Sequence, residues 1–258
     1  MKSLIMMVLI SVLGFLGCGG SDNESNSGTG QSIPFTPFGL TDTTTPIYEW
    51  TSVPGATRYC LLVEDTNYVP VIEEWYTAEE ARCGNGEYSC YVTPDIEVVG
   101  NTWKVLARAG VEWGLWSDEL QFSYIGGGPP RPRFTDHGDD TVTDNHTKLM
   151  WTKSANLCPE PLDWWDASSC CEGLTLAGYS DWRLPSLPEL ASLVDRNEEN
   201  PALPPGNPFT DLNWAGYWTA TSDLPDDEDA WQVWFEWPIF CVYNKNYGYS
   251  AWCVRCGI

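Results

Sequence analysis

The chain has 258 residues and carries 36 Asp and Glu against 13 Lys and Arg, a formal charge of -23. That excess of acid excludes a nucleic-acid partner, because phosphate binding needs a basic face. A hydrophobic content of 43% with 15 Trp excludes a disordered chain, and 2 His leave little material for a His-based zinc site or general base.

Lys2 is followed at 4–16 by LIMMVLISVLGFL, thirteen apolar or small residues. That length suits the core of a signal peptide and falls short of the ~20 residues of a membrane-spanning helix. The run closes on Phe15, Leu16, Gly17 and Cys18, which resembles a bacterial lipobox with Phe15 where Leu is usual. The resemblance implies cleavage before Cys18 and a lipid on that cysteine; the competing reading is an ordinary secretory signal with a coincidental cysteine. Residues 19–32, GGSDNESNSGTGQS, hold no large apolar side chain and read as a flexible tether. Gly19 stands where inner-membrane lipoproteins commonly have Asp, which points to the outer membrane. The expectation is an envelope protein, lipid-anchored, with its bulk periplasmic or surface-exposed.

Residues 33–125 read as a first module of short strands. Tyr48 and Trp50 alternate, as do Tyr59, Leu61 and Val63, then Trp103, Val105 and Ala107, then Leu120, Phe122 and Tyr124. Period-two runs separated by Pro, Gly and Asn turns predict an antiparallel sandwich. WTSVPGATRY at 50–59, WKVLARA at 103–109 and GLWS at 114–117 resemble a fibronectin type III domain, a fold used mainly as spacer or binding platform. Cys83 and Cys90 flank the turn-rich GNGEYS and are expected to close a small ring. Cys60 lies in a predicted strand and reads as a buried thiol. GGGPPRP at 126–132 makes a poor strand or helix and a good linker, so limited proteolysis is expected to cut there and leave two folded pieces.

The second module spans 133–258. Asp163 to Asp166 reads as a helix start, with Trp164, Ala167, Cys171 and Leu174 on one stripe. Ser186 to Glu189 is a capping box, and Leu187, Leu190, Ala191 and Val194 follow at helical spacing. Trp231, Val233, Phe235 and Trp237 alternate as a strand. Two short helices among several strands predict an α+β domain.

FTDHGDDTVTDNHTKLMW at 134–151, WDASSCCEGL at 165–174, LAGYSDWRLPSLPEL at 176–190, YWTATS at 217–222 and WCVR at 252–255 together resemble the Lcl C-terminal domain family. That family takes its name from a collagen-like adhesin that binds sulfated polysaccharides. The outline also resembles C-type lectin-like folds and the formylglycine-generating enzyme group, in architecture alone. The family resemblance implies a Cys171–Cys253 disulfide. Cys158, Cys170, Cys241 and Cys256 then remain with their pairing open, and Cys158–Cys170 with Cys241–Cys256 is the working assignment.

Candidate sites are sparse. Arg183, before Leu184 and Pro185, reads as a loop anchor through a carboxylate or carbonyls. Cys253 and Cys256 form a C-x-x-C, but at a strand end in an exported chain, where disulfides are the default. Asp226, Asp227, Glu228 and Asp229 form an acidic loop that a calcium ion could use, against the plainer reading of a solvated loop. Asp136, Asp139, Asp140 and Asp144 pose the same choice. Ten Trp lie in the second module, and Trp214 and Trp237 have contexts that suit exposure and ligand contact.

The function expected is a non-catalytic, surface-anchored binding or adhesion protein, without a cofactor other than calcium, whose partner is a glycan or an envelope or extracellular protein. With 20 acids against 8 bases in 127–258, a neutral ligand is favoured over a sulfated one. The alternatives are a cysteine-dependent oxidase-like enzyme of the formylglycine-generating type and a purely structural envelope component.

Overall fold

The computed structural model describes residues 31–83, 88–124, 126, 132–213, 215–223 and 227–257, with the backbone alone for Gly100 and Asn101. Cys18, most of the tether, most of the 126–132 linker, Trp214 and Asp226 lie outside the described residues.

The first module is a sandwich of two sheets. One has the strand order β1 (Pro34–Thr36), β3 (Tyr48–Thr51), β6 (Ser89–Val92). The other runs β2 (Gly39–Thr41), β9 (Leu120–Tyr124), β7 (Gly100–Ala109), β4 (Arg58–Glu64), β5 (Pro70–Thr77), with β8 (Glu112–Trp116) also on β7. The period-two side chains Tyr48, Trp50, Tyr59, Leu61, Val63, Trp103, Val105, Ala107 and Phe122 meet in one core between the sheets. Alternation puts every second residue inside, so one face of each strand builds that core. Cys60 points to the other face of β4 yet is also buried, as a free thiol. Burial, then the nearby Glu73, pushes it up to about 11.

The second module has two antiparallel sheets. The first orders β10 (Phe134–Asp136), β11 (Thr141–Asp144), β12 (Leu149–Thr152) and β16 (Val254–Cys256); the second orders β13 (Tyr217–Asp223), β14 (Asp229–Trp234) and β15 (Ile239–Asn244). Two short helices lie between β12 and β13 in sequence. In α1 (Trp164–Glu172) the Asp163 carboxylate accepts from the Asp166 amide at 2.8 Å. In α2 (Leu187–Ala191) Ser186 and Glu189 form the reciprocal capping box. Such caps satisfy amides that have no partner inside the helix, which is why helices this short hold their ends. The strand expected through Trp237 ends sooner. β14 stops at Trp234, and Trp237 sits half-exposed in the turn to β15.

Among the described residues three disulfides form: Cys83–Cys90, Cys158–Cys170 and Cys171–Cys253. The working pair Cys241–Cys256 does not. Cys241 lies mid-strand in β15 opposite Gln232, whereas Cys256 lies in β16 opposite Leu149, in the other sheet.

Each module has its own core, and the first strand of the first module crosses into the core of the second. Phe35 of β1 is buried in the core of the second module, with its ring 4.6 Å from that of Phe240. Ile33 and Phe38 pack against the same core. Gly39 then crosses the His146 carbonyl so closely that a Cβ would lie 2.6 Å from its oxygen, and the next amide, Leu40, donates to that oxygen at 2.9 Å. Only glycine fits both this approach and its φ of +77°.

Candidate ligand site

The β13–β15 sheet has two faces of different character. Tyr217, Trp231, Val233, Phe240 and Val242 belong to the large core. Register puts Trp218, Ala230, Gln232, Trp234, Cys241 and Tyr243 on the opposite face. Tyr249 joins this face from the chain after β15, through ring contacts at 5.3 Å to Trp218, 6.0 Å to Trp234 and 5.1 Å to Tyr243. Trp234 and Tyr243 lie 6.4 Å apart. Burial raises the Tyr249 phenol above its ordinary value, and the neighbouring Tyr243 adds to the shift.

Gln232 lies on the same face, paired with Trp218 on one side and Cys241 on the other. Its side chain is fully buried, and among the described residues neither amide atom has a partner. The Trp234 indole N–H also has none, although the Trp218 N–H donates to the Leu162 carbonyl at 3.1 Å. Gly216 lies directly against this pair: a Cβ there would collide with the Gln232 amide oxygen and come within 2.6 Å of Trp234 Nε1. An unpaired buried amide costs roughly 1–3 kcal/mol, so its retention needs a reason. Chemically, the site offers one uncharged donor–acceptor pair and an indole donor among aromatic walls.

The module's charges are spent elsewhere. Arg133 pairs with Asp144, Lys153 with Asp136, Arg183 with Glu189, Arg196 with Glu49, Lys245 with Asp227 and Arg255 with Asp181. Six of the eight Lys and Arg in 127–258 are thus ion-paired. Arg183 anchors its loop with a two-pronged grip on Glu189 at 2.7 and 2.8 Å and a bond to the Leu184 carbonyl at 3.1 Å. The Glu189 bonds raise the Arg183 guanidinium above its ordinary value. Arg255 grips Asp181 at 2.7 and 3.1 Å and lies 3.8 Å over the Tyr179 ring. Its hydrogen bonds hold Asp181 below the usual carboxylate range.

The acidic loops are bound to their own chain in the same way. Asp227 meets the buried Lys245 at 2.7 Å, Lys245 Nζ lies 4.3 Å over the Trp164 ring, and Asp229 accepts from Asn244 at 3.0 Å. The Glu228 carbonyl accepts from the Lys245 amide at 2.8 Å. In the other cluster Asp139 accepts from Thr141 at 2.6 Å, and Asp144 is fully buried against Arg133. Among the described residues no three carboxylates converge; the one convergent set is Cys158, Cys171 and Cys253. Cys253 is bonded to Cys171 rather than to its C-x-x-C neighbour Cys256.

These elements carry the residues quoted above from 176–190, 217–222 and 252–255. Residues 140–255 match the family model of the Lcl C-terminal domain. No match is found among the curated proteins. The matched stretch contains the whole aromatic face, Gln232 included. Trp237, the exposed tryptophan expected from the sequence, lies in the β14–β15 turn, outside this cluster of rings. A cleft of about 740 Å³ separates the domain from the sandwich, walled by Phe38, Leu40, Ile47 and Val194 with Arg133 and His146. Burial, then Arg133, lowers the His146 imidazole. Sequence reasoning missed both features. The one signal for Gln232 was a polar residue between the alternating Trp231 and Val233, and a solvent-facing strand position explains such a residue equally well.

Proposed function

We propose that the Lcl C-terminal domain of this chain is a non-catalytic binding module for an uncharged glycan or a protein surface. The observation that carries this reading is the unpaired, buried Gln232 amide on the sheet face that carries Trp234, Tyr243 and Tyr249. Hydroxyl groups both donate and accept, as that amide does, and apolar ring faces pack on aromatic walls. The ion pairing of six of eight cations supports an uncharged ligand over a sulfated one. In this reading the sandwich is a fibronectin type III-like spacer. Cys18 carries the lipid, residues 19–32 are the tether, and the module works at the cell envelope.

The test is a glycan array probed with a soluble form starting at Gly19, with and without calcium. Binding to uncharged glycans that falls at least tenfold in Gln232→Leu is expected. Binding to heparin alone, abolished by modest salt, would overturn the uncharged-ligand reading. Cys18→Ala should move the full chain out of the membrane fraction.

A further inference from the structure

Cys170 and Cys171 occupy successive positions of α1, about 100° apart around the helix. Cys171 therefore faces the core, fully buried and bonded to Cys253, while Cys170 is half-buried and bonded to Cys158. The two bridges touch. Cys158 Sγ lies 4.0 Å from Cys253 Sγ, and the sulfurs of Cys158, Cys171 and Cys253 all lie within 4.8 Å of one another. Three chain segments meet here: the loop after β12, helix α1 and the residue just before β16.

We propose that Cys170, Cys158, Cys253 and Cys171 form a thiol–disulfide exchange relay entered by a dithiol reductant at Cys170. Cys170 is the entry because its residue is the more exposed end of its bridge; Cys158 is 3% exposed. A reductant thiolate attacks Cys170 Sγ, the Cys158–Cys170 bond breaks, and Cys158 leaves as a thiolate. The reductant's second thiol then displaces Cys170, which takes a proton, and the reductant departs as its own disulfide with two electrons delivered to the protein. The Cys158 thiolate next attacks Cys253 Sγ. The Cys158–Cys253 bond forms, the Cys171–Cys253 bond breaks, and Cys171 leaves as a thiolate and is protonated. This second step moves no net electrons. It transfers the covalent tie of β16 from α1 to the preceding loop and leaves α1 with two thiols.

Chain entropy does not oppose the exchange. The Cys171–Cys253 bridge spans 82 residues and a Cys158–Cys253 bridge would span 95, so the loops cost nearly the same to close. Access decides which sulfur is attacked first, and proximity decides the second step.

The test is Cys170→Ser in the otherwise intact chain, with acid quenching, alkylation and peptide mapping. Near-equal loop costs predict that Cys158–Cys253 with alkylated Cys171 makes up between about 10% and 90% of molecules. Alkylation of Cys158 alone, with Cys171–Cys253 intact in every molecule, would overturn the relay. A second measurement stands if that variant does not fold. The wild-type chain is treated with less than one equivalent of dithiothreitol and quenched over time. Alkylated Cys171 should appear after alkylated Cys158, and its failure to appear while Cys158 and Cys170 label would equally overturn the relay.

Discussion

Arg196 of the second module holds Glu49 of the first. Arg196 Nε donates to Glu49 Oε2 at 2.8 Å and Nη2 donates to Oε1, in a pair whose carboxylate side chain is 2% exposed. Ser89 donates to the same carboxylate at 3.0 Å, and the guanidinium lies 4.8 Å over the Tyr91 ring and 5.6 Å over that of Phe240. The contact joins β3 to the chain after α2, 147 residues apart, and satisfies both charges away from water. Removing one partner of a buried pair strands the other. Glu49→Ala is therefore expected to cost about 3–5 kcal/mol by denaturant unfolding, and Glu49→Leu with Arg196→Met to recover most of that loss.

Phe35 predicts how the modules unfold. Its ring is fully buried in the second module's core although its strand pairs with β3 of the first. Phe35→Ala should destabilise the chain by about 3–5 kcal/mol and lower both modules together in one calorimetric transition. A fragment of residues 127–258 should expose that core and bind a hydrophobic dye that the full chain does not. Proteolysis at 126–132 should accordingly nick the chain without releasing two separate pieces, because the modules stay joined through Phe35 and Arg196.

Gln232 sets stability against binding. Gln232→Leu removes two unpaired buried polar atoms and keeps the volume, so it should stabilise the fold by about 1–3 kcal/mol while weakening ligand binding. Gly216→Ala acts in the other direction. Its methyl group drives into Gln232 and Trp234 and should cost about 1–3 kcal/mol. Thermal unfolding of both variants, read beside glycan binding, checks the pair.

Asp223 gives a pH dependence. It lies directly opposite Asp229 in the β13–β14 ladder, and burial, then that carboxylate, raises its pKa above the ordinary value. A raised carboxylate pKa means stability that is present below the unfolded value near 3.8 and lost as pH rises through the folded value. Asp223→Asn removes the charge and should raise the melting temperature at pH 7, with the gain vanishing by about pH 3, where the native carboxyl is protonated in both states.

The local features of this chain were legible in its residues. The alternation of Tyr59, Leu61 and Val63 marks β4, and the Ser186 to Glu189 box marks the start of α2. Arg183 reads as a loop anchor and is one. Each is a relation between residues two to six apart, governed by the strand pleat, the helix turn or a short loop, so the chain itself carries both partners. Cys171–Cys253 was reached differently, through likeness to a family rather than spacing. Relations across tens of residues had no such local signal. Phe35 reads as an ordinary strand residue until α2 and β15 close over it. Gln232 reads as an outward polar residue until Tyr249 and Gly216 cover it. Cys241 and Cys256 look like the last available pair until topology puts them in different sheets. Burial and pairing at such positions depend on which distant surface arrives, and arrival is a property of the packed whole rather than of any window of sequence.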